Sequence, residues 1–337
     1  MEAAAVKYSI VIPLYNEEAT VAALVSRLRE VMEQLDGPTE VVMVDDGSED
    51  ATYELMAKAN GDDPRFKIMQ FSRNFGHQLA ITAGMDAAAG QAVVIMDADL
   101  QDPPDVILKM AAKWQEGYEV VYAVRERREG ERPFKTITAS IFYSLLRRIA
   151  EIETPVEVGD FRLVDRKALD AFLQMRESNR YVRGMFSWIG FRQAAVPYTR
   201  ASRHAGETKY TLRKMIHFAS DGIIGFSTAP LRLALGIGAF LAIAAVCYGL
   251  VAIALKLAGL PLTPGYASLL VTITFLSGVQ LIMIGMVGQY VARIYDEAKG
   301  RPLYLVRETR GFSEENGQVT WPAITGRNRH QHGASER

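Results

Sequence analysis

The chain has 337 residues, with 38 Lys and Arg against 39 Asp and Glu, a formal net charge of −1 and one Cys. Its 49% hydrophobic and 23% charged content and mean hydropathy of +0.02 are those of a globular protein and exclude collagen-like, disordered and disulfide-scaffold classes. The near-zero charge gives no reason to expect a nucleic-acid partner, and Cys247 alone forbids an intramolecular disulfide or a cysteine-based zinc site.

In chain order, Tyr8 to Leu14, Glu40 to Val44, Phe66 to Phe71, Ala92 to Met96 and Glu119 to Ala123 read as strands. Each is short, rich in Val, Ile, Met or Phe, and bounded by turn or charged residues. Helical patterns lie between them, near Thr20 to Gln34, Ala51 to Ala59, Leu79 to Ala89 and Pro104 to Glu116. Such alternation implies βαβ units, hence a doubly wound, mostly parallel α/β sheet with helices on both faces. Ligands of such sheets bind at the carboxyl ends of the strands. Polar residues collect at every one of these ends: Tyr15-Asn16-Glu17, Asp45-Asp46, Arg73-Asn74, Asp97-Ala98-Asp99 and Arg125.

The pair Asp97 and Asp99 follows an apolar strand directly. An Asp-x-Asp on its own commonly marks a turn or a helix cap. At a sheet edge, two neighbouring carboxylates repel, and a hard divalent cation such as Mg²⁺ or Mn²⁺ relieves that repulsion; Gln101 could add a carbonyl oxygen. No glycine-rich GxGxxG or GxxxxGK[ST] loop is present, so a phosphate ligand would be held through metal and arginine.

Farther on, Leu233 to Leu255 runs 23 residues without a charge, about 34 Å as a helix and enough for a hydrocarbon core of ~30 Å. Between Lys256 and Arg293 there is no charge at all, and a second apolar run extends from Tyr266 to about Ala292. Core helices of soluble proteins are also apolar, but two adjacent runs of this length point to a transmembrane hairpin. The flanks carry Arg213, Lys214 and Arg232 on one side and Arg293, Lys299 and Arg301 on the other, whereas the connecting loop begins with a lone Lys256. The positive-inside rule therefore places both flanks, both chain ends and the bulk of the protein in the cytoplasm. The N-terminal apolar run, interrupted by Pro13 and lacking a cleavage pattern, is not expected to be a signal peptide. Gln280, Gln289, Gly285 and Gly288 in the second span suit contact with another helix, so a homo-oligomer is expected.

Taken together, VIPLYNEE, VDDGSEDAT, FSRNFGHQLA, MDADLQDPP, GDFRLVDRKAL and RHAGETKY resemble family 2 glycosyltransferases of the GT-A fold. The resemblance is greatest to the polyprenyl-phosphate glycosyltransferases, namely the dolichol-phosphate mannose synthases and the bacterial undecaprenyl-phosphate glucosyltransferases. It covers roughly residues 7 to 310 and implies a donor nucleotide-diphosphate sugar, a polyprenyl phosphate acceptor and a bacterial inner-membrane location. It assigns Pro13, Tyr15, Glu17, Asp46 and Asp97 to the nucleotide, and Asp97, Asp99 and Gln101 to the metal and diphosphate. Arg125, Arg203 and Lys209 fall to the acceptor or phosphates, and Asp160, with Asp99, to catalysis. Asp160 is expected to position groups more than to abstract a proton, because a phosphate monoester with a second pKa of about 6 is already mostly a dianion. His77 is expected to be a hydrogen-bonding residue.

Two segments suit a membrane surface. Phe134 to Ile149 and Tyr210 to Phe226 read as basic amphipathic helices, and residues 200–232 hold six Lys or Arg against two acidic residues, a charge that attracts anionic headgroups. The expected organisation is a catalytic domain over 1–209, an interfacial segment over 210–232, the hairpin over 233–292, a cytoplasmic return over 293–310 and a disordered polar tail over 311–337. The expected activity is inverting transfer of one sugar, with UDP-glucose the leading donor. The alternatives are a processive polysaccharide synthase, whose Gln-x-x-Arg-Trp motif is missing here, and a non-catalytic membrane-anchored scaffold that binds nucleotide sugars.

Overall fold

A computed structural model of the chain describes residues 5–125, 158–199, 229–258, 265–312, 314–315 and 318–319. The chain divides into two compact units. The first contains, in order, β1 (Tyr8–Leu14), α1 (Glu18–Met32), β2 (Thr39–Asp45), α2 (Thr52–Asp62), β3 (Phe66–Phe71), α3 (His77–Ala87), β4 (Ala92–Ile95), α4 (Val106–Gln115) and β5 (Val120–Arg125). It continues with β6 (Val158–Asp165), α5 (Arg166–Leu173), α6 (Val182–Trp188) and β7 (Gln193–Tyr198), and it also takes in β8 (Val306–Arg310). The second unit holds two long helices, α7 (Ala229–Leu257) and α8 (Tyr266–Ala298).

Eight strands form one sheet in the order β7-β5-β6-β4-β1-β2-β3-β8. β6 and β8 run antiparallel to their neighbours, and the other strands are mutually parallel. All seven residues of β1 and of β2 are buried, as expected for central parallel strands covered on both faces. Tyr8, Ile10, Ile12 and Leu14 join the core that also contains Val21, Leu24, Leu28 and Val31 of α1 and Ile107 and Met110 of α4. Their spacing in α1 is that of a single apolar helix stripe. Val11 points to the opposite face, against α3. There a Cβ built on Gly84 would lie 2.2 Å from Val11 Cγ1, so only glycine allows this helix to lie so close to the sheet.

The first five strands and four helices match the sequence reading to within about three residues at each end. β6, β7, α5, α6 and β8 are not foreshadowed by apolar periodicity. β6 inserts between β4 and β5 with Asp160 and Arg162 buried inside it, which breaks the apolar run that marks a central strand. β8 reads VRETR and follows the two long helices. It pairs with the edge strand β3, Ile68 opposite Arg310 and Phe71 opposite Val306. Tyr304 precedes it, stacking on Phe71 with ring centroids 5.2 Å apart and donating to Asp86 Oδ2 at 2.8 Å. Residues 306–310, expected to be a plain return segment, thus complete the sheet.

The expected spans fall within α7 and α8. Among the described residues, one helical stretch, Val271–Ala298, is long and apolar enough to cross a membrane, with a mean hydropathy of 1.9; a shorter apolar stretch covers Ala234–Tyr248. In the expected disordered tail, Glu314–Glu315 (β9) and Gln318–Val319 (β10) pair antiparallel. The two amphipathic segments, Phe134 to Ile149 and Tyr210 to Phe226, lie outside the described residues.

Candidate active site

The strand order reverses between β1 and β4, the chain having first wound outward through β2 and β3. That switch point opens a crevice at the carboxyl ends of the strands. A hollow of about 280 Å³ lies there, lined by Pro13, Tyr15, Glu17, Asp46, Asn74, His77, Asp97 and Asp99 among others. A larger hollow of about 610 Å³ lies at the amino ends, flanked by Asp36, Glu40, Arg65 and Lys67. Its charges are already paired, Lys67 with Glu40 and Arg65 with Glu33, so the smaller hollow has the chemistry to bind a ligand.

The loops are held in place by their own polar groups. After β1, Asn16 sits at φ 52°, its N–H on Ser48 Oγ at 3.0 Å and its Oδ1 accepting from Glu49 N–H at 2.9 Å. After β4, Leu100 sits at φ 55°. For a leucine this left-handed conformation is strained, and it places Gln101 N–H on Asp99 Oδ1 at 3.1 Å. Both left-handed residues lie between expected ligand residues. Asp46 is nearly buried and accepts from Phe75 N–H at 2.7 Å and Gly76 N–H at 2.9 Å. Its carboxylate therefore fastens the turn that delivers His77. Burial pushes the Asp46 carboxyl up, and these amides pull against it.

Asp97 and Asp160 meet across His77. The imidazole Nε2 is 3.4 Å from Asp97 Oδ1 and 3.4 Å from Asp160 Oδ2. Asp160, in β6, is gripped by the Arg183 fork from α6, Nε to Oδ1 at 2.8 Å and Nη2 to Oδ2 at 2.9 Å. Burial alone would raise the Asp160 carboxyl, but the hydrogen bonds from His77 and Arg183 and the charges of Arg183 and Arg162 hold it far below the usual carboxylate range. Arg162, buried beneath, donates to the carbonyls of Gly159 and Asp160 at 2.8 and 3.3 Å, and burial pushes its guanidinium down to about 10. Asp97 is pushed up to about 6 by burial, with His77 pulling it down and Asp160, Asp102 and Asp99 pushing it further up. Loss of water around the His77 ring opposes its protonation, yet its bond to Asp160 and the charges of Asp97 and Asp160 hold its pKa above the ordinary histidine value.

The residues present fit a divalent cation. Asp97 Oδ1 is buried and accepts no hydrogen bond; its nearest cationic group is His77 Nε2 at 3.4 Å, which leaves hydrogen-bonding capacity that a cation can use. Among the described residues no three His, Cys, Asp or Glu side chains form a metal-holding group. Two carboxylates suit an ion that keeps waters and takes phosphate oxygens from its substrate. Gln101 is buried, and its Nε2 lacks a partner.

Of the residues singled out in the sequence, Pro13, Tyr15, Glu17, Asp46, Asp97 and Asp99 thus share one hollow, and Asp160 adjoins it through His77. Arg125 stands at the end of β5. Arg203 and Lys209 lie outside the described residues. Residues 9–173 match Glycosyl transferase family 2, and residues 229–294 match the GtrB C-terminal hairpin. An uncharacterized glycosyltransferase of Bacillus subtilis (strain 168) is 49% identical over 92% of this chain and 96% of its own length. The chain belongs to glycosyl transferase family 2. Within that family it is 40% identical to the bactoprenol glucosyl transferase of Shigella phage SfV, over 90% of this chain and 99% of the relative. It is 39% identical to the prophage bactoprenol glucosyl transferase homolog of Escherichia coli (strain K12), again over 90% and 99%.

Two residues of this site were not assigned to it from the sequence. Arg183 lies 23 positions beyond Asp160 on a separate helix, and nothing in its surroundings marks it. His77 was legible only as a hydrogen-bonding residue; its place between two carboxylates depends on β6 lying beside β4.

Proposed function

We propose that this glycosyltransferase moves a single sugar from a nucleotide-diphosphate donor to a polyprenyl phosphate at a membrane surface, inverting the anomeric carbon. The observation that carries the reading is the buried Asp97 oxygen that accepts no hydrogen bond, beside Asp99 in the hollow at the switch point, a place suited to a metal-bound diphosphate. Two relatives matched over nine-tenths of this chain are named as bactoprenol glucosyl transferases, which supports a polyprenyl phosphate acceptor and glucose as the sugar; UDP-glucose is the donor in this reading.

In this reading Pro13, Tyr15, Glu17 and Asp46 surround the nucleotide, and Asp97 and Asp99, with Gln101 beside them, hold Mg²⁺ or Mn²⁺. When bound, that cation neutralises charge growing on the departing nucleoside diphosphate. An acceptor phosphate oxygen forms the bond to the anomeric carbon as the carbon–oxygen bond to the diphosphate breaks, and the diphosphate leaves with the electron pair. The dianionic acceptor needs little deprotonation. Asp160 accordingly serves as a fixed anion. Both its oxygens are committed to Arg183, which makes it a poor base and a firm support for His77. Arg125, with Arg203 and Lys209, contacts the acceptor phosphate.

The long helices suit a membrane hairpin. β8, which follows them, pairs in the same sheet as the strands that precede them, which supports a chain that returns to the side of the bilayer from which it left by an even number of crossings, and the flanking basic residues favour the cytoplasmic side.

Mass spectrometry of lipid products, formed by the full chain from undecaprenyl phosphate and a panel of nucleotide sugars, tests the reading. A lipid carrying one hexose, absent with Asp99→Ala, is the expected result. A polymeric product would favour a processive synthase, and no transfer from any donor would favour a binding scaffold.

A further inference from the structure

Arg125 ends β5 directly opposite Tyr198, the last residue of the parallel strand β7. Its Nε donates to the Tyr198 hydroxyl at 3.1 Å, and that hydroxyl donates its own proton to Asp102 Oδ1 in a short hydrogen bond. Asp102 is 1% exposed and belongs to the loop that carries Asp97 and Asp99. The Tyr198 ring is fixed edge-on against Phe161, centroids 6.1 Å apart. Arg125 Nη2 stays 4.0 Å from Asp102 Oδ1, too far for a hydrogen bond.

A phenol between a carboxylate and a guanidinium has a distinct consequence. Arginine and aspartate in direct contact form a two-bond fork that consumes the guanidinium edge. Here the tyrosine oxygen takes Nε alone, and the side chain, 37% exposed, keeps its Nη edge for another anion. The Arg183 charge repels Arg125, and Gly159 lies beside its Nη2, where a Cβ would sit at an ordinary contact distance of 3.5 Å. Among the described residues the guanidinium is thereby tethered at one atom, repelled by Arg183 and free of hydrogen bonds along its Nη edge.

We propose that Tyr198 and Asp102 are positioning residues for acceptor recognition, Tyr198 acting as a spacer that stops Asp102 from capturing Arg125 and aims its free edge at the phosphate of the lipid. The proposal rests on the assignment of Arg125 to the acceptor made above. It also links the two substrates physically, because Asp102 extends the donor-side acidic loop to the acceptor-side arginine.

The test is equilibrium binding of undecaprenyl phosphate, and separately of UDP, to the full-length protein in detergent. Tyr198→Phe removes the tether and lets Asp102 pair with Arg125. The Kd for undecaprenyl phosphate is expected to rise about tenfold, the scale of one lost charge-assisted contact, while the Kd for UDP stays within about twofold. Arg125→Ala is expected to weaken undecaprenyl phosphate at least as much, and Tyr198→Phe to add nothing in the Arg125→Ala background. Asp102→Asn combined with Tyr198→Phe removes the competing carboxylate and is expected to restore part of the lipid affinity. Unchanged lipid binding in Tyr198→Phe, equal weakening of UDP, or additivity with Arg125→Ala overturns the spacer role. If Arg125→Ala itself leaves lipid binding unchanged, the assignment of Arg125 falls first and the proposal with it.

Discussion

Replacing Arg183 by methionine would strip the cation from a carboxylate with almost no access to water. Asp160 is 3% exposed, and Arg183 supplies hydrogen bonds of 2.8 and 2.9 Å to its two oxygens. Breaking a buried pair by removing one partner costs about 3–5 kcal/mol. The Arg183 side chain is 34% exposed, so its charge is partly screened, and His77 and Arg162 remain to face Asp160. A loss of about 2–3 kcal/mol at neutral pH is therefore expected. The sign of its pH dependence separates this account from a packing defect. In the native protein the Asp160 carboxyl is held below its unfolded value, so its contribution is complete above that value, about 3.9, and is lost only as pH falls through the folded one. In Arg183→Met, burial, the largest influence on Asp160, is opposed only by the His77 hydrogen bond and the Arg162 charge, and the carboxyl is expected to rise above the unfolded value. Ionised Asp160 then opposes folding at neutral pH, and the penalty fades as pH falls. His77, gaining charge over the same range, acts in the same direction. Thermal unfolding of the full chain in detergent with EDTA, at about pH 7 and about pH 5, should show the gap between the two proteins narrowing at the lower pH. A gap that is equal at both pH values, or wider at the lower one, refutes the reasoning.

Three other outcomes are expected. Asp99→Ala should abolish formation of lipid-linked sugar and the dependence of UDP binding on divalent cation, measured by titrating Mn²⁺ or Mg²⁺ into the protein with UDP. Gly47→Ala places a side chain at φ 73° and a Cβ 2.6 Å from the Arg73 carbonyl carbon; a loss of about 1–3 kcal/mol is expected in denaturant titrations. Tyr304→Phe removes one donor from buried Asp86, which keeps Arg176 at 2.7 Å; about 1 kcal/mol should be lost with the donor Kd unchanged.

The half of the sheet from β1 to β4 was legible because each strand is a short apolar run ending in polar residues, and the crevice follows from their order. Asp97, Asp99, Tyr15 and Glu17 could be placed for the same reason: each lies within four residues of a strand end. β6 was hidden because Asp160 and Arg162, the residues that give it a role, are the ones that spoil its apolar pattern. Arg183 and Tyr198 were hidden because their significance comes from pairing with partners 23 and 96 positions away. For Asp46, the sequence pointed to the nucleotide, whereas its carboxylate accepts the Phe75 and Gly76 amides, so it also supports the loop that holds His77.

The late arrival of β8 affects how the protein is made. Val306 follows Phe71 by 235 positions, a delay of roughly 10–50 s at ordinary rates of synthesis. Throughout that time the free edge of β3 offers unpaired backbone groups, the usual template for wrong pairing, and Phe71 lacks the Tyr304 ring. Both long helices leave the ribosome before the edge can close. A chain that stops within or just after them keeps the residues of the switch-point crevice but presents an open edge, and should aggregate or be degraded. The sheet is sealed last, by residues that exist only once both helices have been synthesised.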